Sequence, residues 1–302
     1  MSHTNAGTAP VLPTPFTDSG VVDETGFANV INFALDHGAD CLVFPGLASE
    51  YDELTLDERL HLIALVGELT AGKADFIVGG SGHHPGETPV LIEAGKKAGA
   101  KAVMIMTPTV YAGNQQGLID FYSDAAEVSD IAILLQNAPK PMGIGLSPAE
   151  VLAIVRAVPN IRYVKEETMP VGQRISQLLA DKPDNLIGVF GGAGGRYIID
   201  ELKRGAIGTM PASELIEVHV RMMKAFAAGD VQTAWHLYER VLPVLVMQAT
   251  FRWRLTKEVL RRRGLIKSAY TRSKGPALDA QDQVELTQML ARLEDLVGQL
   301  SV

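Results

Sequence analysis

The chain has 302 residues, 47% of them hydrophobic and 21% charged, with a formal net charge of −8. That composition describes an ordinary globular core, and the acidic balance gives no global help in binding nucleic acid or an anionic membrane. Cys41 is the only cysteine, which excludes an intramolecular disulfide and argues against a cysteine-built zinc cluster. No apolar run reaches the ~18 residues of a membrane span. The start, Met1 to Gly7, lacks the basic and apolar regions of a secretory signal, so a cytoplasmic protein is expected.

Short apolar runs alternate with helical patterns almost to residue 230. In chain order the expected strands are Val11 to Pro13, Cys41 to Phe44, Phe76 to Val78 and Val103 to Met106. Ile131 to Leu135, Tyr163-Val164, Leu186 to Phe190 and Ile207 to Met210 complete eight. They are continuously apolar, as parallel strands covered on both faces should be. Between them lie helix-spaced segments, such as Leu56, Leu60, Ile63 and Val66, or Val151, Ile154 and Val155. Ser147-Pro148-Ala149-Glu150 signals a helix start, with a hydroxyl cap, proline in the first turn and glutamate at the third position. After Ser213 the pattern is helical without strands, through Val231 to Leu260 and again through Gln281 to Leu300.

Eight strand-then-helix units predict a (β/α)₈ TIM barrel over residues 1–229, with residues 230–302 as a helical extension packed on it. An open dinucleotide-binding sheet should carry Gly-x-Gly-x-x-Gly after its first strand, where this chain reads Thr14-Pro15-Phe16-Thr17-Asp18. The basic stretch Arg252 to Arg263 reads as a solvated or subunit-facing helix. Cys41, inside an apolar run, reads as a small buried hydrophobe.

A barrel of this type places its active site at the C-terminal ends of the strands. The residues just past each run therefore belong to one constellation. They include Gly46, Ala48, Ser49 and Glu50 after the second strand, and His83-His84 after the third. Gln136 and Asn137 end the fifth, Lys165-Glu166-Glu167 the sixth, and Gly191 to Gly195 with Arg196 the seventh. A lysine at such a strand end loses solvation of its charged form and becomes a nucleophile towards carbonyl carbon. Side chains alternate along a strand, so Lys165 and Glu167 share a face and Glu166 points away.

The ordered set Pro13-Thr14-Pro15-Phe16, Gly46-x-x-x-Glu50, Thr107-Pro108, Asn137-x-Pro139 and Val164-Lys165-Glu166 resembles the dihydrodipicolinate synthase/N-acetylneuraminate lyase family over nearly the whole chain. The resemblance implies a homo-oligomeric barrel, a tetramer or dimer, whose lysine (here Lys165) forms a Schiff base with a small 2-oxo acid. It implies no metal and no organic cofactor. The family loop that grips the substrate carboxylate corresponds to Gly46, Leu47, Ala48, Ser49 and Glu50, with a methyl at Ala48 where a hydroxyl is usual. Ser49 is the remaining hydroxyl donor there, and Glu50 is read as a brace for the loop.

Two departures bear on the reaction. Gln136 replaces the family's proton-relaying tyrosine, and an amide orients a hydroxyl or water without titrating. The arginine expected after Asn137-Ala138-Pro139 for a second carboxylate is absent from Lys140 to Gly143, which argues against dihydrodipicolinate synthesis. Retro-aldol cleavage needs a base at the C4 hydroxyl, and the missing tyrosine removes the obvious one. Dehydration needs a carboxylate near C3, which Glu167 supplies.

The resemblance is nearest to the sugar-acid dehydratase branch. It implies conversion of a 2-keto-3-deoxy sugar acid, L-2-keto-3-deoxyarabonate, to 2-oxoglutarate semialdehyde. Retro-aldol cleavage by the same barrel, or a non-catalytic 2-oxo-acid-binding barrel, are the alternatives. The catalytic set is then Lys165, Gln136 and Glu167. Ser49, Ala48, Gly46, Asn137, Gly191, Gly192 and His83 are the substrate-binding set. Two adjacent histidines rarely point to one ion, so His83 is assigned to a substrate hydroxyl. The cluster Gly191 to Gly195 reads as close backbone passage in preference to a phosphate site beside Arg196. Tyr111 lies one residue out of register with a family tyrosine supplied across the subunit interface.

Overall fold

A computed structural model describes residues 6–298 and 300. The first five residues, read above for a leader, and Gln299, Ser301 and Val302 at the C-terminus lie outside the described residues. The strands are β1 (Gly7–Thr8), β2 (Cys41–Phe44), β3 (Asp75–Gly79), β4 (Ala102–Met106), β5 (Ala132–Asn137), β6 (Ile161–Glu166), β7 (Gly188–Gly191) and β8 (Gly208–Thr209). They form one parallel sheet of eight, in the order β1-β8-β7-β6-β5-β4-β3-β2.

The first expected strand is displaced. β1 lies at Gly7–Thr8, and Val11 makes only isolated parallel bridges, to Val43 and to Ala212. Pro10 and Pro13 lack the N–H groups a continuous ladder needs. The segment still closes the barrel, because Leu12 N–H donates to Val43 at 3.0 Å and Val43 N–H donates to Pro10 at 3.0 Å. This is a (β/α)₈ TIM barrel with C-terminal helices.

The helices alternating with these strands are α1 (Glu24–Asp36), α2 (Leu56–Thr70), α3 (Thr88–Lys97), α4 (Gln115–Val128), α5 (Pro148–Ala157), α6 (Val171–Ala180), α7 (Ile198–Lys203) and α8 (Ile216–Ala227). The start of α5 carries the expected reciprocal cap. Ser147 Oγ accepts from Glu150 N–H at 3.3 Å, and Glu150 Oε2 accepts from Ser147 N–H at 2.7 Å. Ser147→Ala should therefore lower unfolding free energy by about 1 kcal/mol, read from the denaturant midpoint at unchanged slope. No change in midpoint would show the cap to be redundant.

Apolar side chains sort into layers. Ala102, Met104, Leu134, Tyr163 and Phe190 fill the barrel lumen, while Leu42, Phe44, Val103, Leu135 and Val164 face the surrounding helices. Beyond α8 come α9 (Val231–Phe251), α10 (Trp253–Arg262), α11 (Ala280–Ala291) and α12 (Glu294–Val297). They pack on α7 and α8 through Ile199, Leu202, Met222, Leu245 and Val259. Each such fully buried side chain contributes roughly 1.5–3 kcal/mol.

Two expectations for this region are corrected. The helical run Val231 to Leu260 is broken at Arg252, whose φ of 53° and ψ of −126° turn the chain between α9 and α10. The stretch Arg252 to Arg263 also faces largely inward. Lys257 is fully buried, Arg262 is buried on Glu258 at 2.8 Å, and Arg263 is buried on Glu217 at 2.7 Å. Carboxylates supplied by α8, by α10 itself and by the loop after β2 pair these cations, which allows them to leave water. Among the described residues, no helix is long and apolar enough to cross a membrane.

Candidate active site

Period-two alternation along β6 sets the site. Tyr163 points into the lumen, where its ring meets Phe190 at 6.1 Å, so Lys165 two residues on points into the barrel mouth. Gln136 of β5 is the cross-strand partner of Lys165. Lys165 Nζ lies 2.8 Å from Glu167 Oε1, and Gln136 Nε2 donates to that same oxygen at 2.7 Å. The lysine and glutamate side chains are 6% and 10% exposed, so the pair is largely shielded from water.

Glu167 follows the last residue of β6, yet its N–H still donates to Asn137 at 3.2 Å. That bond prolongs the strand geometry far enough to keep the carboxylate on the lysine face. Gly192 leaves the space for it, because a Cβ there would collide with the Glu167 methylene. Glu166 points away, accepting from Asn137 Nδ2 at 2.9 Å and Thr168 N–H at 2.7 Å, with Arg174 at 3.3 Å. Burial pushes its carboxyl above the usual range, against the pull of Asn137 and Arg174.

Lys165, Gln136 and Glu167 thus meet in one contact network. The seven residues expected to bind substrate divide. Ala48 lines a cavity of about 230 Å³ together with Lys165 and Glu167. Leu47 and Ala48 open a short helical turn, where N–H groups have no intrahelical partner and are free to meet an anion. Ser49 is not a free donor: its hydroxyl donates to Leu12 at 2.5 Å, accepts from Gly46 N–H at 2.9 Å and is fully buried. That side chain fixes the loop, so the donors left there are the backbone N–H groups of the turn. Gly46 passes close against Val11, whose Cγ1 would lie 2.7 Å from an added Cβ.

Asn137 also serves the scaffold, bonding the N–H and carbonyl of Leu146 at 2.9 Å each as well as Glu166. Gly191 lies against Glu201 of α7, so it admits a carboxyl where any Cβ would collide. Burial, then the charges of Glu167 and Asp200, push that carboxyl up to about 8. His83 is exposed, its ring bonded to the Leu54 carbonyl at 3.2 Å, and it lines a separate cavity of about 320 Å³. The structure does not bring it to Lys165, although Met142 borders both cavities. Tyr111 packs on Phe121 at 5.8 Å, beside that second cavity.

Glu50 is fully buried and pairs with Lys257, the bracing role expected of it. No site role was expected of Gln248, Arg252 or Trp253, yet all three line the Lys165 cavity with Arg196. They arrive from α9 and α10, more than eighty residues after the lysine.

A buried amine, carboxylate and amide meet at the C-terminal mouth of this (β/α)₈ barrel, the end at which barrel enzymes carry their active sites. The chain belongs to the Dihydrodipicolinate synthetase family, whose model matches residues 4–293. It is similar to 4-hydroxy-tetrahydrodipicolinate synthase of Agrobacterium fabrum, 28% identical over 240 residues covering 79% of this chain and 81% of that one. It is also similar to L-2-keto-3-deoxyarabonate dehydratase of Azospirillum brasilense, 27% identical over 295 residues covering 96% and 95%. The solved dihydrodipicolinate synthase from Rhodopseudomonas palustris superposes with a TM-score of 0.86 at 25% identity, over 97% of this chain and 99% of that one.

Proposed function

We propose that this lyase forms a Schiff base and dehydrates a 2-keto-3-deoxy sugar acid, L-2-keto-3-deoxyarabonate, to 2-oxoglutarate semialdehyde. The observation that carries the reading is the single carboxylate oxygen of Glu167 in contact with both Lys165 Nζ and Gln136 Nε2. The Lys165 amine adds to C2, and water leaves to give an iminium. Glu167 removes a C3 proton and the electron pair forms an enamine. The C4 hydroxyl departs as water once protonated, leaving a C3=C4 double bond conjugated to the imine. A proton lost from C5 and one regained at C3 give the C4=C5 enol, and hydrolysis of the imine frees the lysine. The enol product tautomerises to the aldehyde, so the net change is loss of one water. Gln136 orients the carboxylate without exchanging a proton. The likeness to the Azospirillum brasilense dehydratase supports the same outcome.

Retro-aldol cleavage is the second reading, and Tyr197 favours it: its phenol lines the cavity and offers a base for the C4 hydroxyl. A coupled semialdehyde dehydrogenase with NAD(P) detects dehydration, whereas pyruvate appearing with lactate dehydrogenase indicates cleavage. Multiple turnovers of either kind dispose of a binding-only barrel.

Glu167→Gln should lower kcat by roughly 10²–10⁴-fold, the usual worth of a positioned base, while a borohydride-trapped adduct at Lys165 still forms. Turnover at the parent rate in this variant would remove Glu167 from the mechanism. The proposal also takes residues 1–229 as the barrel and 230–302 as its extension, in a cytoplasmic homo-oligomer, a tetramer or dimer that light scattering would size.

A further inference from the structure

Arg196 and Arg252 are charged side chains of the cavity that dehydration leaves unused. Arg196 follows the helical turn Ala193–Gly195 after β7, and Arg252 stands at the break between α9 and α10. Among the described residues neither has a carboxylate within 4.0 Å. Arg196 Nη1 donates to the amide oxygen of Gln248 at 3.2 Å. Arg252 Nη2 reaches only the thioether of Met142 at 3.3 Å, and its guanidinium lies 4.7 Å from the Trp253 ring centre. Burial holds both guanidiniums below the usual arginine value, and the charge of Arg252 lowers Arg196 further.

Three features make this arrangement costly without an anion. A guanidinium stays charged, so each half-buried one retains its desolvation penalty. The cavity lining holds three cations, Lys165, Arg196 and Arg252, against the one carboxylate of Glu167. One keto-acid carboxylate cancels only part of that excess. The backbone is strained as well: Arg252 at φ 53° and Ala193 at φ 51° occupy left-handed regions that favour glycine, and both residues line this cavity. Such positions cost on the order of 1–3 kcal/mol each and persist where the surrounding structure enforces them.

We propose that Arg196 and Arg252 form a second anion subsite, distinct from the Leu47–Ala48 turn, that takes a terminal carboxylate or phosphate on the substrate. The subsite goes beyond the proposed function: it rests on imine formation at Lys165 and not on L-2-keto-3-deoxyarabonate as the substrate. It ranks 2-keto-3-deoxy acids ending in an anion above neutral-ended ones, because L-2-keto-3-deoxyarabonate offers these guanidiniums only hydroxyl groups. The arginines come from β7 and the α9–α10 break, whereas Leu47 and Ala48 follow β2, so one elongated acid is held at both ends with its ketone at the lysine.

Borohydride trapping read by intact mass tests this with three probes: 2-oxopentanoate, 2-oxoglutarate and 2-oxo-4-phosphonobutanoate. The half-trapping concentration should be at least about tenfold lower for an anion-ended probe than for 2-oxopentanoate, the scale of charge-assisted hydrogen bonds. Whichever of the two anionic probes gains more identifies carboxylate or phosphate as the fitted group. Arg252→Gly, which suits the backbone angles and deletes the charge, and Arg196→Gln should each bring that ratio to about two or below. Thermal unfolding of both variants confirms that they are folded. Equal trapping of all three probes overturns the subsite and leaves the imine chemistry standing. So does a ratio unchanged in both folded variants. Absence of any adduct overturns the Lys165 reading and the subsite with it.

Discussion

Lys165→Met should lower kcat/KM by at least ~10⁴-fold and abolish the borohydride-trapped adduct, because no other group in the cavity can condense with a ketone. Methionine preserves most of the buried stem, so the lumen below, where Tyr163 meets Phe190, keeps its packing. Glu167 loses its cation but retains the Gln136 amide at 2.7 Å, which limits the cost of leaving a carboxylate in place. Lys257 is the instructive competitor. It is fully buried and its ammonium is pushed down to about 8, chiefly by burial, so its charge state alone would recommend it as a nucleophile. Its position does not, since it is held by Glu50 and by the Tyr270 carbonyl at 3.0 Å and lines no part of the Lys165 cavity. Peptide mapping of the parent adduct should locate the added mass at residue 165. An adduct surviving in the Lys165→Met variant, or mapping to Lys257, would refute the assignment.

The contact network of Lys165, Gln136 and Glu167 was legible because it depends on one short-range rule. Alternation along β6 puts Tyr163, Lys165 and Glu167 on one face, and β5 supplies Gln136 as the neighbour in register. The strand interiors were legible for a related reason, since runs such as Cys41–Phe44 and Ala102–Met106 are apolar on both faces. Strand ends were less so: prolines displaced β1, and Leu186 lies before β7 begins. Loop side chains failed for a different cause. A hydroxyl or amide at a strand end can serve the substrate or the loop itself, and Ser49 and Asn137 serve the loop. Local sequence does not distinguish these uses, because the deciding partners, Leu12 and Leu146, lie outside each motif.

The contribution of α9 and α10 to the cavity was hidden more thoroughly. No glycine or proline stands at position 252, so nothing marks the break that turns Arg252 and Trp253 inward. A run of arginines and a lysine looks like a solvated face until the carboxylates that meet it are known. Those come from Glu50, Glu217 and Glu258, two of them distant in sequence.

Lys257→Met should destabilise the protein by about 3–5 kcal/mol, the usual cost of removing one member of a buried ion pair. The pair joins α10 to the loop after β2. Glu50 sits at φ 56° with no solvent exposure and also accepts from Ser273 N–H at 2.7 Å. Lys257 lies over the Phe16 ring at 4.1 Å, and Arg272 covers the same ring at 4.4 Å while pairing with Glu58 at 2.6 Å. The C-terminal segment therefore clamps the loop that presents Ala48 to the cavity. Burial lowers the Lys257 ammonium despite the attraction of Glu50, so desolvation outweighs the ion pair in this site. Removing the lysine alone strands a buried carboxylate. The double substitution Glu50→Gln with Lys257→Met leaves no buried charge and should recover most of the lost stability. The single variant should also need a higher 2-oxo-acid concentration for half-trapping, because the Leu47–Ala48 turn is no longer held. Denaturant midpoints for the two single variants and the double close the cycle. If Lys257→Met unfolds at the parent midpoint, or the double variant is as unstable as the sum of the singles, the clamp is not an ion pair but simple packing of the two stems.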